Sequence, residues 1–226
     1  MFKKEKKHIN DYKLRYQELD IARRYHEGYS KKLGLKNYRM KIIAEREKKI
    51  LRSLISNRCG GIHTILDFPC GSGKLSAIFK QTAFSICAAD ISEAMLSMAK
   101  ETYPAIANFQ GLIRADITKI PFKSESFDCI ICLRLMHRLP PEVRQEILHE
   151  LVRVTKQYVI VSYGIAQVAD KVRRFLMKRN PKSAYWMATE RDLENEVARA
   201  GLRVLNVHSV IPYFYYERIF LLEKKV

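Results

Sequence analysis

An α/β fold, with a mostly parallel sheet covered by helices on both faces, is the architecture this sequence predicts. Three observations lead to it. From Gly61 onward, short apolar stretches alternate with segments of helical period. The strand-like stretches are apolar throughout, as strands buried on both faces are. The run Ile62, Ile65, Leu66, Phe68 encloses an acid, Asp67, and leads into a turn with two glycines, Pro69-Cys70-Gly71-Ser72-Gly73. Open α/β sheets hold ligands at the carboxyl ends of their strands, so this turn marks a ligand site.

The elements follow in chain order. Residues 10–57 read as two helices broken near Gly28 and Gly34. The second places Leu35, Tyr38, Ile42, Ile43, Ile50, Leu51, Leu54 and Ile55 on one broad face, with Lys and Arg opposite. Strands are expected at 62–67, 84–90, 110–115, 127–133 and 157–163. Helices are expected at 73–80, 92–102, 141–154, 167–178 and 189–200, the last stopped by Gly201, a good C-cap residue. Two late strands, 202–208 and 214–223, flank Pro212. The domain division expected is a basic helical extension or lid over 1–60 and a ligand-binding domain over 61–226.

Composition narrows the function. The chain has 226 residues, 47% hydrophobic and 29% charged, enough for one α/β domain with additions. No apolar run approaches the ~18–20 residues that span a bilayer. The basic start, Met1-Phe2-Lys3-Lys4, has no apolar stretch behind it, and five scattered cysteines form no disulfide framework. A cytoplasmic location is therefore expected, with peripheral contact at the inner membrane surface. The formal charge of +17 is uneven: residues 1–61 hold 18 Lys and Arg against 7 acids, and residues 171–182 hold 6 against none. The ligand-binding core is balanced, and the excess sits on two additions.

Three acids close three successive strands: Asp67, Asp90 and Asp116. Asp67 is suited to a cationic amino group, and an acid at this place argues against a phosphate cradle. Asp90 is suited to both ribose hydroxyls, while repelling a 2′-phosphate. Asp116 is suited to an exocyclic amine of adenine, with Ile117 packing on the ring. Gly71 and Gly73 let the backbone approach the ligand closely. Helix capping is the competing reading of each acid taken alone.

The segments ILDFPCGSGKL, AADISEAMLSMAK, ADITKIPFKSESFDCIICLRLMHRLP and HELVRVTKQYVIVSY resemble those of the class I S-adenosylmethionine-dependent methyltransferases, over roughly residues 60–223. The resemblance implies a seven-stranded sheet of order 3-2-1-4-5-7-6 with strand 7 antiparallel, and S-adenosylmethionine as cofactor. It assigns Asp67, Gly71 and Gly73 to the methionine part, Asp90 and Ile91 to the ribose, and Asp116 and Ile117 to the adenine. Cys132, Leu133 and Arg134 would lie near the sulfonium and the acceptor. Pro69 departs from the family pattern, standing where the first loop glycine is expected. Proline lacks the N–H and fixes φ, so the turn must find another backbone solution.

Rival motifs fail on their spacing. Ser76 replaces the third glycine of a dinucleotide fingerprint, and Gly73-Lys74-Leu75 lacks the hydroxyl of a phosphate loop. Cys129 and Cys132 have zinc-knuckle spacing, but on a strand they face opposite ways, and no metal site is expected. Pro69-Cys70 lies in the wrong loop for a cytosine-C5 nucleophile, and no Asn/Asp-Pro-Pro-Tyr/Phe motif follows strand 4.

His137, just past strand 4, is the candidate general base, with packing or capping as the alternative. Tyr25, with Tyr29 nearby, is a candidate for a lid residue closing on the methionine end. The two basic additions suit a nucleic-acid backbone, anionic lipid headgroups or a phosphorylated sugar, or else form a solvated face. The function expected is methyl transfer to a hydroxyl, or to an amine or carbon, of a small or lipid-linked anionic acceptor. Alternatives are methylation of tRNA or rRNA and a non-catalytic module of the same fold.

Overall fold

The computed structural model describes residues 35–58, 61–80, 82–166, 186–212 and 216–225. Its centre is one seven-stranded sheet: β1 (Thr64–Asp67), β2 (Ser85–Asp90), β3 (Phe109–Arg114), β4 (Phe127–Cys132), β5 (Thr155–Gly164), β6 (Leu202–Ser209) and β7 (Glu217–Lys224). The order is β3-β2-β1-β4-β5-β7-β6. Strands β1 to β5 pair in parallel, and β7 runs antiparallel between β5 and β6. This is the topology that the resemblance implied.

Alternate residues of each strand feed two apolar layers, one on each face. Leu66, Ile130, Cys132, Val159 and Val161 pack under α4 (Pro141–Val154) and α5 (Glu190–Arg199), through Ile147, Leu148, Leu151, Leu193 and Val197. Ile65, Ile86, Cys129, Ile131 and Ile160 pack against α1 (Leu35–Arg58), α2 (Ser76–Phe79) and α3 (Glu93–Ala99), through Leu51, Leu54, Ile55, Phe79 and Leu96. Cys129 and Cys132 thus lie on opposite faces, as strand alternation requires.

Local chemistry explains several boundaries. Ser92 caps α3 by accepting the Met95 N–H at 3.2 Å. Thr189 and Asp192 form a reciprocal capping box at the start of α5. Pro141 occupies the first turn of α4, where its missing N–H costs nothing. Asp128 accepts from the backbone N–H groups of His63 and Thr64 at 2.9 and 2.8 Å, which ties the start of β1 to β4.

Some expected boundaries move. The helix expected over 73–80 shrinks to Ser76–Phe79, because the residues before it are spent in turns that use left-handed Gly71 and Gly73. The last strand starts at Glu217 rather than 214. In α1 the expected Tyr38 points to solvent, 66% exposed, while Glu47 takes a place in the apolar stripe between Ile43 and Leu51. The expected helix over 167–178, the helix before Gly28, Tyr25 and Tyr29 lie outside the described residues.

Candidate functional site

The site is built where β1, β2, β3 and β4 end side by side. After Asp67 the chain turns through a cis Phe68–Pro69 peptide. The turn is pinned to both neighbouring strands: Phe68 N–H donates to Ile131 O at 2.9 Å, and Cys70 N–H donates to Ala89 O at 2.8 Å. Gly71, at φ +55°, then directs its N–H at Asp90 Oδ2, 2.8 Å away. The other carboxylate oxygen of Asp90 accepts the Ser92 N–H at 2.9 Å. Asp90 is therefore clamped by two backbone donors. Burial raises its pKa, and the backbone N–H groups of Ser92, Gly71 and Ile91 oppose that rise.

The two glycines do different work. A Cβ on Gly71 would meet nothing, whereas one on Gly73 would collide with Thr102 Oγ1 and come within 3.3 Å of the Tyr103 ring. Gly73 thus lets the turn close on the segment after α3. Asp116 organises its own loop, its Oδ1 accepting from Thr118 N–H at 3.0 Å and Thr118 Oγ1 at 2.9 Å.

A cleft enclosing about 1110 Å3, its solvent-filled mouth included, opens at these strand ends. Gly71, Asp90, Ile91, Asp116, Ile117, Leu133 and Arg134 all line it, so seven of the residues singled out from sequence meet at one place. Asp67, Gly73 and His137 do not. Asp67 is fully enclosed at the end of β1, and its Oδ2 accepts the hydroxyl of Tyr103 in a short hydrogen bond. Burial raises its pKa from 3.8 to about 7; Tyr103 opposes the rise and Asp90 adds to it. Cys132, placed near the acceptor by resemblance, is in the core.

His137 lies in a one-turn 3-10 helix, Met136–Arg138, is buried, and is not among the residues lining the cleft. Its carbonyl accepts the Trp186 N–H at 2.7 Å, and its ring meets Tyr216 edge-on at 5.6 Å. Burial, together with Arg138 and Arg134, lowers its pKa to about 3, so it is neutral and only weakly basic at neutral pH.

Sequence reasoning missed four charged or polar lining groups: Glu47 from α1, Lys74, Arg138 and Thr118. Glu47 had a visible signal, a charge centred in the apolar stripe Ile43-x3-Glu47-x3-Leu51. It pairs with Arg134, which stands at φ +60° just after β4. Burial, with Arg134 and Arg138 adding to it and Glu47 opposing, lowers the Lys74 amine to about 5.

Residues 65–158 match the methyltransferase-domain family. Over those residues the chain carries a methyltransferase domain. A chloroplastic magnesium protoporphyrin IX methyltransferase of Arabidopsis thaliana is 19% identical over 160 residues, covering 69% of this chain and 51% of that protein. A tRNA (carboxymethyluridine(34)-5-O)-methyltransferase of the same plant is 29% identical over 126 residues, 54% of this chain and 29% of that protein. The chain thus spans about half or less of these curated relatives. Among solved structures, magnesium protoporphyrin IX methyltransferase from Synechocystis, with bound SAH, superposes with a TM-score of 0.80 at 19% identity. That likeness covers 97% of this chain and all of that one, and shows the shared fold.

Proposed function

We propose that this methyltransferase moves the methyl group of S-adenosylmethionine to an oxygen of a small anionic acceptor, and that the cleft at the ends of β1 to β4 is where it does so. The observation that carries the reading is the clamped carboxylate of Asp90, facing the same cleft as Asp116, Ile117 and Leu133.

The residues fit the cofactor. Asp67 is enclosed beneath the turn, off the cleft, and supports the turn from below through its bond to Tyr103. Asp90 with Ile91 would hold the ribose, and Asp116 with Ile117 the adenine. Gly71 orders the loop around the methionine part, and Leu133 flanks the sulfonium. When bound, S-adenosylmethionine supplies an electrophilic methyl group. The protein supplies position and desolvation, and such a transfer draws most of its acceleration from those two. His137 has no part in this scheme, because it is buried, does not line the cleft and is weakly basic. Gly73 acts through the packing of the turn.

Arg134 and Arg138 line the cleft and favour an anionic acceptor. No helix among the described residues is long and apolar enough to cross a membrane. The basic segments 1–61 and 171–182 support contact with an anionic surface, either lipid or RNA. The likeness to a tRNA methyltransferase supports the RNA reading as the second choice. The domain division adopted here keeps 61–226 as the catalytic unit, with α1 contributing Glu47 to its cleft.

Calorimetric titration tests the cofactor assignment, with S-adenosylmethionine and S-adenosylhomocysteine as ligands and NAD and ATP as controls. Binding of the first two alone is expected, and failure of both to bind sinks the reading. Tight tRNA binding that weakens steeply with salt would move the RNA reading to the front.

A further inference from the structure

Besides Asp90 and Asp116, two guanidinium groups, one amine and one carboxylate line the cleft: Arg134, Arg138, Lys74 and Glu47. Glu47 reaches it from α1 and is only 1% exposed. It meets the Arg134 guanidinium side-on, Nε donating to Oε1 at 3.1 Å and Nη2 donating to Oε2 in a second, shorter bond. That is the two-point geometry by which arginine recognises a carboxylate.

Arg134 is held from other directions too. Its N–H donates to Ser162 Oγ at 2.7 Å, and its carbonyl accepts Arg138 Nε at 3.1 Å. The backbone stands in the left-handed region at φ +60°, which a β-carbon disfavours. Such conformations persist where the surroundings impose them, and they concentrate at ligand sites. Stability alone does not explain the pair, since a buried ion pair gains little over apolar packing. A leucine at 47 would simply complete the stripe of Ile43 and Leu51. Arg138 and the Lys74 amine crowd the same place, and burial with the two guanidinium groups holds that amine down, so it is neutral until an anion arrives. An arriving anion would relieve that crowding.

We propose that Arg134, flanked by Lys74 and Arg138, docks a carboxylate of the methyl acceptor, and that Glu47 occupies this position until the acceptor displaces it. The inference rests on the cleft being the methyl-transfer site, and it names a chemical handle on the acceptor. Glu47 is then an internal competitor: it keeps the guanidinium aimed and lowers the affinity for weak anions.

The test uses the full chain saturated with S-adenosylhomocysteine and titrated with benzoate, with inorganic phosphate as a parallel arm. Glu47→Gln should bind benzoate at least tenfold more tightly than the unaltered chain. Arg134→Gln should lose benzoate binding, and Arg134→Lys, which keeps the charge without the fork, should recover only part of it. If Glu47→Gln folds poorly, Glu47→Leu provides the same comparison. Equal benzoate affinity with and without Glu47, or full affinity in Arg134→Gln, overturns the docking assignment. Phosphate binding in place of benzoate overturns the carboxylate. S-adenosylhomocysteine binding, measured first and alone, separates the two levels: if it is normal while benzoate is indifferent, only the docking assignment falls. Its absence in the unaltered chain overturns the cofactor reading beneath it.

Discussion

Replacing Asp67 by Asn isolates the cost of a carboxyl group sealed beneath the ligand turn. Asparagine keeps an oxygen for the Tyr103 hydroxyl but cannot ionise. In the folded protein burial raises the Asp67 pKa from 3.8 to about 7, so the neutral form is favoured there. A folded-state pKa above the unfolded one means that stability is complete below about pH 4 and is lost as pH climbs through about 7. At 1.36 kcal/mol per pH unit, the gap from 3.8 to about 7 corresponds to about 4 kcal/mol withdrawn from the fold by pH 8. Asp67→Asn escapes that loss. Urea denaturation of both proteins between pH 5 and 8 should therefore show the variant gaining on the parent as pH rises, with a plateau above pH 7. Two stability curves that run parallel across the range would refute the reasoning.

Other substitutions test separate parts of the structure. Gly71→Ala meets only the conformational cost of φ +55°, about 1 kcal/mol, whereas Gly73→Ala also drives a methyl into Thr102 and should cost about 3 kcal/mol. Thr102→Ala should restore part of the second loss and none of the first, read by denaturation midpoint. Asp90→Asn sets an amide N–H against one of its two backbone donors and should weaken S-adenosylhomocysteine binding by about 10- to 100-fold in calorimetry. Arg144 and Glu196 form a buried pair between α4 and α5, with the Tyr163 hydroxyl donating to Glu196 Oε2 at 3.0 Å. Arg144→Met strands that carboxylate and should cost about 3–5 kcal/mol, while adding Glu196→Leu should recover most of it.

The sheet was legible because its signals are local. Apolar strands, acids at their ends and Pro or Gly at the turns recur along the chain, and the family likeness supplied the order that spacing alone does not. The cleft was legible where a lining residue directly follows a strand, as Ile91 and Leu133 do, or stands in the short loop after one, as Ile117 does. What stayed hidden depends on distant partners. Asp67 and Asp90 look alike in sequence, yet Tyr103, 36 residues further on, takes the first, while two neighbouring backbone N–H groups clamp the second. Gly71 and Gly73 share one motif, but only the latter is pressed against another segment. The place of His137 just past strand 4 suggested a residue at the site, and the Trp186 and Tyr216 contacts that help to bury it come from far along the chain. The positive φ of Arg134 has no sequence signature at all, since left-handed residues are usually glycine or asparagine.

The helix Leu35–Arg58 lies ahead of the segment matched to the family, yet it gives Leu51, Leu54 and Ile55 to the core under the sheet and Glu47 to the cleft. That has a practical meaning for protein engineering. A chimera joining residues 61–226 to a relative's leading helix would inherit three apolar sockets and a guanidinium with a missing counter-ion. Only a donor helix with apolar residues at those three places and an acid four positions before the first would fill them. For this chain, then, the pattern of those four positions decides which helix can stand in for Leu35–Arg58.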